Sequence, residues 1–100
     1  MSEINILSSI FAQIKANKDK NPANSYSARL YQSKKGKNKV LEKLGEEAVE
    51  TIIAAKDGNK EQLINEMADL WFHSLATLAI HEVELTDLFD ELQRRQKVYK

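Results

Sequence analysis

Apolar residues recur along this chain at helical intervals. Leu7, Ile10, Phe11 and Ile14 follow the i, i+3, i+4, i+7 spacing that lines one face of an α-helix. The polar run from Asn17 to Asn24, with Pro22 inside it, predicts the end of that helix. Ser25 is placed to cap a short segment carrying Tyr26, Ala28, Leu30 and Tyr31. A basic loop follows, with Lys34, Lys35, Lys37 and Lys39 around Gly36. A long helix is then predicted from about Asn38 to Asp57, with Leu41, Leu44, Ala48, Ile52 and Ala55 on one stripe. Gly58 is its predicted stop. Asn59, with Gln62 three residues on, predicts the capped start of another helix reaching about His81. That helix is apolar over more than half its circumference (Leu63, Ile64, Met67, Leu70, Trp71, Leu75, Leu78), as a central helix of a bundle is. Its surplus apolar surface predicts cover by a second subunit. Thr86 is the predicted cap of a last helix, with Leu88, Phe89 and Leu92 facing inward. No segment alternates with period two. The expected fold is all-α: a short bundle of four to five helices in a single domain over residues 1–100, completed by dimerisation.

Composition narrows the class. One hundred residues suffice for one modest core. No run approaches the ~18 consecutive apolar residues of a membrane-spanning helix, and no secretory signal is visible, so a cytoplasmic protein with no membrane partner is expected. The absence of cysteine excludes a disulfide scaffold, a thiol nucleophile and a cysteine-based zinc site. The net charge is zero but divided: residues 1–45 carry nine Lys/Arg against three Asp/Glu, and residues 46–100 carry six against twelve. That split does not suggest nucleic acid. It fits a basic segment for anionic groups beside acidic helices that hold a cation, although surface charge can be uneven by chance.

Two acidic clusters carry the candidate chemistry. Glu46, Glu47 and Glu50 lie within a fan of about 100°, largely opposite the leucine stripe of their helix. Taken alone, such a cluster is usually a solvated face. Glu66, Asp69 and His73 lie within a stripe of about 60° on the most apolar helix, joined by Gln62. Carboxylates are rarely buried without a partner, so this stripe asks for cations. Lys43 or Arg29 would answer as structural ion pairs; a divalent metal is the other answer. Glu47 and Glu50 facing Glu66 and Asp69 would offer four hard oxygen ligands from two antiparallel helices, the donor type that magnesium prefers. No nucleophile elbow and no phosphate-binding glycine loop occurs. His73 is open to two readings, a hydrogen-bonded core histidine or a site residue. His81 reads as a polar residue near a helix end.

At these residues the chain resembles a known family. Glu46-Glu47-x-x-Glu50 followed by Glu66-x-x-Asp69 looks like the split acidic motif of the all-α, MazG-like nucleoside triphosphate pyrophosphohydrolases. Lys43-Leu44-Gly45-Glu46-Glu47-Ala48-Val49-Glu50 is similar to the signature of the phosphoribosyl-ATP pyrophosphatases, as are Ser25 to Leu30, Glu66 to His73 and Glu91 to Arg95. Gln96, where a histidine is more typical, and Trp71-Phe72, in place of a commoner Leu-Tyr pair, depart from the pattern. The resemblance implies metal ligands among Glu46, Glu47, Glu50, Glu66 and Asp69. Glu47, Glu50, Glu66 and Asp69 are the preferred direct ligands of Mg2+, with Glu46 orienting the attacking water. Glu46, Glu47 and Glu50 are the candidate catalytic residues. Arg29, Lys34, Lys35, Lys37, Lys39 and Lys43 would meet the substrate's phosphates, and His73 is the further candidate substrate contact.

The resemblance further implies hydrolysis of phosphoribosyl-ATP to phosphoribosyl-AMP and pyrophosphate, the second step of histidine biosynthesis, by a homodimer or higher homo-oligomer with a small-molecule substrate and no nucleic-acid partner. Many relatives are fused to the next enzyme, phosphoribosyl-AMP cyclohydrolase, which this chain has no room for, so a stand-alone pyrophosphatase is expected. Two rivals stay open: a house-cleaning pyrophosphohydrolase acting on dUTP, dCTP or damaged nucleotides, and a non-catalytic helical dimerisation module whose carboxylates pair with Lys and Arg.

Overall fold

The computed structural model describes residues 3–99, with side chains from residue 5 onward. Five helices follow one another: α1 (Glu3–Ala16), α2 (Tyr26–Tyr31), α3 (Lys37–Asp57), α4 (Lys60–Ile80) and α5 (Leu85–Arg95). No strand occurs among the described residues. None of the helices is long and apolar enough to cross a membrane.

The local chemistry of the chain sets the boundaries. Ser25 accepts a hydrogen bond on Oγ from the Ala28 amide at 3.2 Å and so starts α2. Gly58 closes α3 at φ +71°, the left-handed conformation that glycine adopts without a Cβ clash. Asn59 then accepts from the Gln62 amide at 3.0 Å and opens α4. A connection of only two residues forces α3 and α4 into an antiparallel hairpin, the most extensive helix pairing of the molecule.

The far end of α4 closes differently. Glu82 takes φ +60°, its amide donates to the Ala79 carbonyl at 3.1 Å, and the Val83 amide donates to the Leu78 carbonyl at 2.9 Å. That is a Schellman ending built on a glutamate instead of a glycine. The tight turn brings Glu84 against Lys15 of α1 (Oε1 to Nζ, 3.1 Å) and drops Leu85 into the core. Consequently α5 begins at Leu85, not behind Thr86, which lies inside its first turn. Leu88 and Leu92 stay 39% and 45% exposed, Phe89 is half-buried, and Leu85 is the residue that anchors the helix.

The core lies where α1, α2, the start of α3 and the later half of α4 meet. Phe11, Ile14, Leu30, Val40, Leu75, Ala76, Ala79 and Leu85 are its buried members. The inward face of α3 differs from the expected stripe. Val40, Glu47, Thr51 and Ala54 are buried, while Leu41 and Ile52 remain 45% and 59% exposed. The face turned toward α4 is therefore the one carrying a carboxylate, and the apolar stripe looks away from the hairpin. The radius of gyration, 14.7 Å, exceeds the ~13 Å of a compact chain of this length, because the hairpin projects beyond the core.

Candidate metal centre

Antiparallel pairing of α3 and α4 sets the two acidic motifs against each other. Glu47 on α3 and Glu66 and Asp69 on α4 offer one oxygen each, all within 4.8 Å of one another. Glu66 and Asp69 share a face because three residues make nearly one helical turn. Glu47 is buried, Glu66 half-buried and Asp69 exposed, so the cluster has a dry floor and an open mouth. Glu50, one turn beyond Glu47, lies outside that converging group but near enough for its carboxylate to raise the proton affinity of both Glu47 and Glu66.

The electrostatics of this cluster would favour a cation. Oε2 of Glu47 and Oε2 of Glu66 are sealed from solvent without a hydrogen-bond donor. A buried, unsatisfied carboxylate oxygen is costly, and it becomes useful where a cation replaces the missing donor. Burial, foremost, then the shared proton and negative charge of Glu50, then the charge of Asp69, push the Glu47 carboxyl up to about 7 against the pull of Lys43. Sharing a proton with Glu50, followed by burial, also raises the Glu66 carboxyl. Four carboxylates thus compete for too little positive charge. All-oxygen donors of this kind suit a hard divalent ion.

The basic candidates divide into those at the cluster and those away from it. Lys43 Nζ bonds Glu46 Oε2 at 3.2 Å and stands 3.9 Å from Glu47 Oε1. The Glu46 bond raises the Lys43 pKa and holds Glu46 at the exposed rim, outside the converging oxygens. Among the described residues no salt bridge reaches Glu50, Glu66 or Asp69. The structural ion-pair reading therefore accounts for Glu46 and, weakly, Glu47, and leaves the other three carboxylates without a cation. Arg29 donates from Nη1 to the Pro22 carbonyl at 2.7 Å and lies over the Tyr26 ring, 5.3 Å from its centroid. Arg29 and Lys39 line one shallow cleft with Tyr26. Lys35 is tied to Glu42 at 3.0 Å, Lys34 is exposed on the loop before α3, and Lys37 is exposed as its first residue.

His73 is buried, with both ring nitrogens engaged. Nδ1 lies 2.7 Å from the Asp69 carbonyl, and Nε2 lies 2.7 Å from the Tyr26 hydroxyl. A carbonyl only accepts, so Nδ1 carries the proton and Nε2 accepts from the tyrosine. The phenol and imidazole meet edge to face at 5.6 Å. This contact ties α2 to α4 at the level of Asp69 and sets Tyr26 beside the candidate site, a residue that the acidic and basic motifs alone did not single out. The signal for it was the Ser25-to-Leu30 stretch, where the apolar count registers a tyrosine only as core.

The protein is a helical domain whose central hairpin brings together three carboxylates, two of them with a sealed oxygen lacking a donor, a donor set that could hold a metal ion. The chain belongs to the phosphoribosyl-ATP pyrophosphohydrolase family, whose model matches residues 7–96. A phosphoribosyl-ATP pyrophosphatase of Nitrosomonas eutropha is 46% identical over 97 residues, covering 97% of this chain and 81% of the relative. One of Haloarcula marismortui is 44% identical over 91 residues, covering 91% of this chain and 93% of the relative. One of Methanocella arvoryzae is 40% identical over 92 residues, covering 92% and 97%.

Proposed function

We propose that this chain hydrolyses the α–β phosphoanhydride of phosphoribosyl-ATP, giving phosphoribosyl-AMP and pyrophosphate in histidine biosynthesis, with Mg2+ held by Glu47, Glu50, Glu66 and Asp69. The protein is a hydrolase of the phosphoribosyl-ATP pyrophosphohydrolase family. The observation that carries the reading is the convergence of Glu47, Glu66 and Asp69 within 4.8 Å. Magnesium at such a site supplies charge against phosphate oxygens and lowers the pKa of water.

The remaining work falls to side chains. Glu47 and Glu66, with their sealed oxygens, would hold the cation together with Asp69 and Glu50. The exposed carboxylates Glu46 and Glu50 would orient the attacking water and take its proton, and Glu47 joins them in the candidate catalytic set as the buried ligand beside them. Glu46 is suited to orientation because Lys43 holds it at the rim. Lys43 stands at the cluster and would meet the leaving pyrophosphate, with Arg29 and Lys39 in the cleft beside Tyr26 and Lys34, Lys35 and Lys37 before and at the start of α3 drawing the polyphosphate in. His73 serves the substrate side through the cleft wall it shares with Tyr26 and Asp69. The working form is a homodimer or higher homo-oligomer in the cytoplasm; the exposed apolar residues of α3 and α4 support the association.

Purified protein with phosphoribosyl-ATP and Mg2+ should release pyrophosphate, and chelation of the metal should stop it. A panel including dUTP and dCTP should be cleaved more slowly. Faster cleavage of a deoxynucleotide would favour the house-cleaning reading. If Mg2+ changed neither turnover nor thermal stability, the non-catalytic helical module would stand in its place.

A further inference from the structure

Beside the carboxylate cluster, on the side of Asp69 facing α1, a cleft of about 440 Å³ opens between α1, the segment before α2, and α4. Its size is that of pockets that take small organic ligands. Asp69, His73, Phe72 and Tyr26 form the wall nearest the cluster. Gln13, Asn17 and Asn24 line the opposite side, and their side-chain amides have no hydrogen-bond partner among the described residues. Asp69 is the cleft's only charged residue; every basic side chain near the cluster lies elsewhere, with α2 and α3.

That distribution of chemistry suits a neutral group rich in donors and acceptors with at least one flat face. A phosphate would find no cation here. A nucleobase with its ribose would find three amides, each both donor and acceptor, and the aromatic rings of Phe72 and Tyr26. We propose that this cleft is the nucleoside subsite: it receives the adenine and the ribose that carries the triphosphate, with the phosphoribosyl group on the base left outside the cleft, while the polyphosphate runs from Asp69 toward Lys43 and Arg29. Gln13 and Asn17 of α1, with Asn24, are then specificity-determining residues. This rests on the phosphoribosyl-ATP reading above and deepens it by giving the substrate a direction.

Kinetics on the full chain test it. Gln13→Met with Asn17→Leu keeps volume on exposed and half-exposed positions and removes the amides. KM for phosphoribosyl-ATP should rise about tenfold or more, with kcat within about twofold and inhibition by Mg2+-tripolyphosphate, which needs only the phosphate half, unchanged. Adenosine should inhibit the unsubstituted protein competitively and the double variant far more weakly. Asn24→Leu, outside any helix, gives the same readout if the double variant is unstable. An unchanged KM, or equal weakening of tripolyphosphate and adenosine, overturns the subsite. Failure of the unsubstituted protein to turn over phosphoribosyl-ATP would instead overturn the reading it rests on, and the subsite with it.

Discussion

Glu47 is where stability and function pull apart. Its carboxyl titrates near 7 instead of its ordinary 4.5, chiefly because it is buried. A carboxyl whose pKa is raised by folding adds stability that is fully present below about 4.5 and lost as pH rises through about 7. Without a cation the protein should therefore melt at lower temperature at pH 8 than at pH 5, as far as this group decides. Mg2+ competes with that proton, so its stabilising effect should grow from pH 6 to pH 8, measurable as the shift in Tm on adding the ion at each pH. A Tm shift independent of pH across that window would show that Glu47 is not a ligand. The same tension predicts that Glu47→Gln raises metal-free stability at pH 8, since it removes a buried charge, while abolishing the response to Mg2+. Glu50→Gln tests the exposed side of the cluster: pyrophosphate release should fall at least about a hundredfold with little change in metal-free Tm. Undiminished turnover would remove Glu50 from the site.

Among the elements, the helix ends carry measurable free energy. Asn59→Ala removes the side-chain bond that opens α4 and should cost about 1 kcal/mol, or roughly 4–8 °C in Tm for a domain of this size. Glu82 offers the opposite change. A non-glycine residue in left-handed backbone carries about 1 kcal/mol of strain, so Glu82→Gly should raise Tm by several degrees. A lower Tm for Glu82→Gly would mean that its side chain contributes more than its backbone costs. These ends also show what could be read from the chain beforehand. Ser25, Gly58 and Asn59 act within three residues of themselves, so the starts and stops they dictate are legible locally, and α3 and α4 lie within one residue of the expected boundaries. The start of α5 was not, because it follows from the left-handed turn at Glu82, a conformation that a glutamate does not advertise in the sequence as a glycine would. The acidic motifs were legible as a pattern, and their spacing placed Glu47, Glu66 and Asp69 on facing helices. The Tyr26–His73 bond was not legible, since it spans 47 residues and depends on how the short α2 docks on α4.

For the whole molecule, the unresolved tension of the sequence reading becomes physical. Periodicity reveals that a helix has an apolar face but not which body covers it. On α3 the face turned to α4 holds Glu47, Thr51 and Ala54, and the more apolar Val49, Ile52 and Ile53 remain 53–59% exposed. On α4, Ile64 and Trp71 are 59% and 53% exposed, and with Leu7, Leu63 and Met67 they edge an open apolar groove of about 490 Å³. Scattered apolar side chains are ordinary on a surface; a continuous set along a projecting hairpin is not. A second copy is the partner the dimer proposal names, and covering this hairpin twice would give each copy a four-helix core that one chain lacks. The protein should therefore sediment as a dimer or larger at micromolar concentration. Ile64→Glu with Trp71→Glu should drive it to monomer, because each introduces a charge that association would have to desolvate. Neither position belongs to the carboxylate cluster, so loss of turnover in the monomeric variant would trace to association holding α3 and α4 in register. A stable, fully active monomer of the unsubstituted protein would remove the dimer and leave the hairpin's apolar face without an occupant.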